Sequence, residues 1–265
     1  MILSRRLPDA VPEAPSAFTL IELLVVIGIL AVLAALLFPA LTKAKASAQR
    51  AHCLSIQKQW ALGFHTYAND REEGWLPREG FHNNGEVYAN NWGQVQDAAS
   101  RDVWYNAIAI QISRPPASSY ARAQDHPRFY APNSFFHCPS VRFPKAAGSQ
   151  MALFSIAMNS QLVDPPNVPT VKLDQIRDPV RTVLLLDNLL DEEEPVVEEQ
   201  AKDNLGQPAA YANRFAGRRH GGRSGIITFA DGHGEAVPGN KVVETQGPNA
   251  GWAILPAVQI FWEIE

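Results

Sequence analysis

The chain has 265 residues and is 46% hydrophobic, enough for one compact head beyond an anchor. Its formal net charge of −4 is too weak and too mixed in sign for a nucleic-acid-binding protein. The 20 prolines and 17 glycines suit a loop-rich, β-containing head, and the 2 cysteines, Cys53 and Cys138, permit a disulfide outside the cytoplasm.

Residues 1–17 carry Arg5 and Arg6, then Pro8, Pro12 and Pro15, and read as a processing segment excluded from the fold. In an ordinary secretory signal the apolar core precedes the cut. Here the apolar stretch follows this segment and is retained as an anchor. From Leu23 to Phe38 there is no charged residue, and about 20 residues of helix cross a hydrocarbon core. Glu22 stands near the start of that run. An unpartnered carboxylate there costs roughly 2.5–3.5 kcal/mol on insertion scales, so it is a functional-site candidate whose partner must be named. Arg5 and Arg6 precede the run while Lys43, Lys45 and Arg50 follow it, so charge alone does not orient it.

The stretch Ala17-Phe18-Thr19-Leu20-Ile21-Glu22 resembles the processing site of type IV pilins and type II secretion pseudopilins. In that family a prepilin peptidase cuts before the Phe and methylates the new N-terminus. The resemblance implies a cut between Ala17 and Phe18, with Glu22 as the fifth mature residue and Pro39 as the twenty-second. Ala17 stands where the family usually has Gly. Cleavage would create an amine one helical turn from Glu22, and the family implies that Glu22 neutralises the amine of a neighbouring subunit in a helical fibre. The plainer alternative is that Glu22 snorkels to the headgroups. The resemblance also implies a leader inside the cell and the bulk of the chain outside.

The helical pattern continues past Pro39, which should kink the element rather than end it. Cys53, Ile56, Trp60, Phe64 and Tyr67 recur at spacings of three and four and lie on one stripe. The stripe fades at Asn69-Asp70, before Gly74 and Pro77, so one helix is expected over 18–70, with about 18–41 in the membrane. Its aromatic stripe needs a cover, and an attached head is the obvious one. Cys53 lies on that stripe, which favours a Cys53–Cys138 bridge; two unpaired thiols are the alternative.

Residues 71–265 read as an extracytoplasmic head of short strands and turns. Asn83-Asn84-Gly85 and Asn90-Asn91 mark turns, and Val103 to Ile112 suits a short helix. Phe135 to Pro139, Leu153 to Met158 and Thr182 to Asp187 are strand-like apolar runs. Asp191 to Glu194 with Glu198-Glu199 form an acidic loop; it is read as solvated, the alternative being a Ca2+ site of carboxylate oxygens. Asp231-Gly232, between two apolar runs, signals a hairpin with a type I′ turn. His220, Asp231 and His233 form a second-choice metal trio, since imidazole and carboxylate both ligate, but His220 is expected in a flexible loop. The stretch from His220 to Asp231-Gly232 also resembles a His, nine residues, Asp-Gly signature of one large bacterial group of prepilin-like proteins, here with ten residues between. Cys53-Leu54, His65 to Asp70 and His137-Cys138-Pro139 echo the same group.

The expected fold is α+β and pilin-like, with a long N-terminal helix packed on an antiparallel β head. The expected role is a structural subunit of a pseudopilus in type II secretion, held in the inner membrane and added to a short periplasmic fibre. Its implied partners are the prepilin peptidase, copies of itself, minor pseudopilins and the inner-membrane assembly platform. No catalysis and no cofactor are expected, because no phosphate loop, nucleophile elbow or zincin motif occurs. The rival readings are a surface type IV pilin or tip adhesin with a ligand-binding head, and a membrane-tethered metalloenzyme using the histidine trio.

Overall fold

The computed structural model describes residues 19–71, 73–80, 82–83, 86–87, 91–143, 151–162, 171–198, 200, 205–245, 252–255 and 260–263. The first expected element forms as one helix, α1 (Leu20–Asn69), uninterrupted at Pro39. The chain divides into two compact units, 1–45 and 46–265.

In the first unit, α1 is long and apolar enough to cross a membrane. Its large apolar side chains, from Leu20 through Leu41, stand exposed. Side chains of this kind on every face of a helix are what a lipid or a protein fibre core must cover. The expected leader and Phe18 lie outside the described residues.

In the second unit, the sequence stripe becomes the buried face of the remaining helix. Cys53, Ile56, Trp60, Phe64 and Tyr67 are each at most 5% exposed. Gly63 sits where α1 meets α3 (Trp104–Gln111), and a Cβ there would come within 2.4 Å of the Ile108 side chain. The Trp60 ring packs edge-on to Trp104 at 5.0 Å and leans on Phe135 and Phe136. The expected short helix is therefore α3, and it completes the cover over the aromatic stripe.

Two further short helices, α2 (Trp92–Gln96) and α4 (His126–Phe129), flank this core. The polar run before α2 does more than turn: Asn91 and Gln94 form a reciprocal capping box at the start of that helix. Two-residue strands β1 (His82–Asn83) and β2 (Glu86–Val87) pair antiparallel on either side of the expected Asn84-Gly85 turn, which itself lies outside the described residues.

The central sheet has five strands in the order β5-β3-β4-β6-β7. They are β3 (Ile156–Asn159), β4 (Val183–Asp187), β5 (Ala209–Ala210), β6 (Ser224–Phe229) and β7 (Gly234–Pro238). All pairs are antiparallel except β3 with β5. A separate antiparallel pair joins β8 (Val243–Thr245) to β9 (Trp252–Ile254). Two of the three strand-like runs thus became β3 and β4. Phe135 to Pro139 did not: it is irregular, its Phe135 carbonyl accepting from Trp60 Nε1 and its Cys138 N–H donating to Ser155 Oγ. Side-chain partners satisfy this buried backbone in place of a ladder.

Both faces of β3, β4 and β6 are buried, which explains the apolar runs Val183–Leu186 and Ile226–Ile227. Ile156 and Met158 join the core under α1 and α3, while Ala157, Leu186, Ile227, Phe229 and Trp262 fill the opposite face. Asn159 holds that side together, its amide donating to the carbonyls of Val183 (2.9 Å) and Trp262 (2.8 Å). The architecture is α+β and pilin-like: a long helix with an apolar N-terminal half, packed on a mostly antiparallel sheet.

Candidate functional site

Two places concentrate chemistry. The first is the start of α1. Glu22 does not stand free: one carboxylate oxygen accepts from Thr19 N–H (2.9 Å) and Thr19 Oγ–H (2.6 Å). The Glu22 N–H in turn faces Thr19 Oγ at 3.3 Å. This is a capping box, Thr-x-x-Glu, in which the carboxylate satisfies orphan donors of the first turn. The signal for this cap is legible in the sequence as Thr19-Leu20-Ile21-Glu22 ahead of an apolar run. The arrangement gives Glu22 a local partner within its own chain.

The second place lies in the head, where β4, β6, α1 and the 138 segment meet. Asp187 ends the central strand β4 and is fully buried. Its carboxylate accepts from Gln57 Nε2 (3.0 Å), from the Ile226 N–H of neighbouring β6 (2.8 Å) and from the Cys53 thiol (3.3 Å). His220 Nε2 lies 3.0 Å from Asp187 and 3.5 Å from Cys138 Sγ, while His220 Nδ1 faces Ser140 Oγ at 3.5 Å. The buried Arg219 guanidinium lies 3.4 Å from Asp187 and 2.5 Å from Glu193. Cys53 and Cys138 are both buried free thiols.

A tight turn aims His220 inward. Its N–H bonds the Ser224 carbonyl at 2.8 Å, and Gly221 and Gly222 between them hold φ of +65° and +72°. Consecutive left-handed residues are cheap only for glycine, which is why Gly-Gly follows the histidine. His220 is therefore buried and fixed, correcting the expectation of a flexible loop.

The charges reinforce one another. Burial alone would raise Asp187, but the Arg219 charge and the His220 hydrogen bond hold it below the usual carboxylate range. Burial opposes the His220 imidazolium, yet the hydrogen bonds to Asp187 and Cys138 bring its pKa up to about 9. Burial also opposes the Cys138 thiolate, but hydrogen bonds from Cys53 and His220 bring it down to about 6. Cys53 is pushed well above its ordinary range by burial first, then by Cys138 and Asp187. His137, one residue away, behaves differently: packed among the rings of Phe129, Tyr130 and Phe143, it is pushed down to about 3 by burial and the Arg219 charge.

The structure thus separates the sequence-level metal trio. Asp231 and His233 contact each other at 2.6 Å on a partly exposed turn, whereas His220 turns inward to Asp187 and the cysteines. The β6–β7 turn also differs from the expected type I′. Phe229 N–H bonds the His233 carbonyl and Gly232 N–H the Phe229 carbonyl, so three residues span the gap. Only Gly232, at φ +90°, is left-handed there, the pattern of a type I turn followed by a bulge. The acidic loop folds back on two arginines: Glu193 pairs with Arg219 and Glu194 with Arg218. Asp187 escaped sequence reasoning. The available signal was a lone carboxylate closing an otherwise apolar central strand.

Among known proteins, residues 15–38 match the family described as the prokaryotic N-terminal methylation motif. The matched segment contains Ala17, Phe18, Glu22 and the apolar run, and it supports a prepilin-like protein processed by a prepilin peptidase. No curated protein and no solved structure matches the chain.

Proposed function

We propose that this chain is a pseudopilin-like subunit of a type II secretion fibre, cut between Ala17 and Phe18 and inserted by an assembly platform. The observation that carries the reading is the conjunction at one helix start: the methylation-motif match over 15–38, the exposed apolar run and Glu22 poised at the first turn. In the single subunit Thr19 occupies the Glu22 carboxylate. In the fibre the amine of a neighbour takes that place and sets the register between subunits. Opposite full charges in a low-dielectric core attract more strongly than a neutral hydroxyl does. The head then faces the extracytoplasmic side, and the anchor stays in the inner membrane until assembly.

The test is N-terminal mass spectrometry of protein extracted from membranes. An N-methylated chain starting at Phe18 is expected. An intact Met1 start, or a cut after Phe38, overturns the reading. A filament on the cell surface, in place of a short periplasmic one, would replace the pseudopilus with a surface pilus.

A further inference from the structure

We propose that Cys53, Cys138, Asp187 and His220 form a tetrahedral site for one structural Zn2+ ion that ties the second half of α1 to the sheet of the head. The inference is independent of the fibre reading. Four donor atoms, from four segments distant in sequence, all lie within 4.8 Å of one another. A tetrahedral ion with Zn–S of about 2.3 Å and Zn–N of about 2.0–2.1 Å needs donor–donor edges of roughly 3.5–3.8 Å. The donor pairs at 3.0 Å, 3.3 Å and 3.5 Å lie at or just below the short end of that range, so the donors spread by a few tenths of an ångström when the ion enters.

The donor chemistry selects the metal. Two thiolates with an imidazole and a carboxylate suit Zn2+, whereas Ca2+ and Mg2+ take oxygen ligands alone. Four protein donors leave no open position, which marks a structural rather than a catalytic ion. The outer contacts are those a metal site requires. His220 turns Nε2 to the cluster and Nδ1 to Ser140, so the tautomer protonated at Nδ1 leaves Nε2 free to ligate. Gln57 and the Ile226 N–H hold the Asp187 carboxylate in place. Two thiolates and a carboxylate around a dication leave one net negative charge, and the buried Arg219 guanidinium, shared between Asp187 and Glu193, offsets part of it. Ligation requires both sulfurs as thiolates and His220 neutral at Nε2, so metal uptake is accompanied by proton release. A polar cleft of about 460 Å³, lined by Ser140, Arg219 and His220 among others, opens onto the cluster and offers an entry path.

A Cys53–Cys138 disulfide uses the same sulfurs and excludes the ion. It would leave unexplained why a carboxylate and an imidazole converge on the two thiols.

The experiment uses the full chain, purified in detergent under reducing, chelator-free conditions, supplied with zinc or cobalt and desalted. About one zinc per chain is expected. The cobalt form should show thiolate charge-transfer and the visible bands of a tetrahedral ion. His220→Cys should keep the metal and raise the charge-transfer intensity by about half, because three thiolates then bind in place of two. Wild-type protein that takes up no more zinc than a Cys53→Ser/Cys138→Ser variant overturns the proposal. So does a cobalt form without tetrahedral thiolate bands, an unchanged spectrum in His220→Cys, or a Cys53–Cys138 disulfide in freshly isolated, alkylated protein.

Discussion

Trp60 offers the sharpest test of how α1 joins the head. Its side chain is fully buried, contacts Trp104, Phe135 and Phe136, and donates its indole N–H to the Phe135 carbonyl at 2.9 Å. A buried Trp removes up to about 250 Å² from water, or about 6 kcal/mol at 25 cal/mol per Å². Alanine retains part of that burial, and large-to-small series place Trp→Ala at about 3–5 kcal/mol. Trp60→Phe keeps much of the ring packing but leaves the Phe135 carbonyl unpaired, at about 1–3 kcal/mol. Each kcal/mol shifts Tm by about 2–4 °C in a body of 150–250 residues. Trp60→Ala should therefore lower the melting temperature of the detergent-solubilised chain by roughly 6–20 °C, with Trp60→Phe in between. Leu62, two residues on but 65% exposed, is the control, and Leu62→Ala should change stability by no more than about 0.5 kcal/mol. Equal melting shifts for Trp60→Ala and Leu62→Ala would refute the packed face.

Other perturbations probe different levels. Glu22→Ala should leave membrane insertion intact or improve it, because a carboxylate leaves the apolar segment, while fibre assembly falls; pulse-labelled insertion and sheared-fibre yields measure the two, and normal assembly would reduce Glu22 to its capping role. Gly232→Val should lower the melting temperature, since a left-handed residue with a Cβ costs about 1–2 kcal/mol and a β-branched one more, whereas His233→Ala at the exposed turn should change it little. Asn159→Ala strands two buried carbonyls, those of Val183 and Trp262, so it should destabilise by about 2–4 kcal/mol and speed proteolysis near residue 262. A protease pattern identical to wild type would show that Asn159 does not hold that segment.

Much of the architecture followed from local rules acting on the sequence alone. An uncharged run from Leu23 to Phe38 cannot be covered by a small head, so an exposed apolar helix follows from composition. The stripe from Cys53 to Tyr67 follows from the 3.6-residue period, and all five side chains are buried. The strands at 156–159 and 183–187 were legible because both of their faces are buried. The segment 135–139 misled for the same reason: burial makes it apolar, while its backbone partners are the side chains of Trp60 and Ser155, distant in sequence. The buried cluster could be read only in part. Periodicity pointed Cys53 inward, but nothing local tells that Asp187 closes β4 beside Ile226, or that the Gly221-Gly222 turn carries His220 away from Asp231 and onto Cys138. Hydrophobic period and turn chemistry act over a few residues and were visible in order along the chain. The convergence of residues 53, 138, 187 and 220 depends on sheet register and long-range closure, which only the tertiary structure decided.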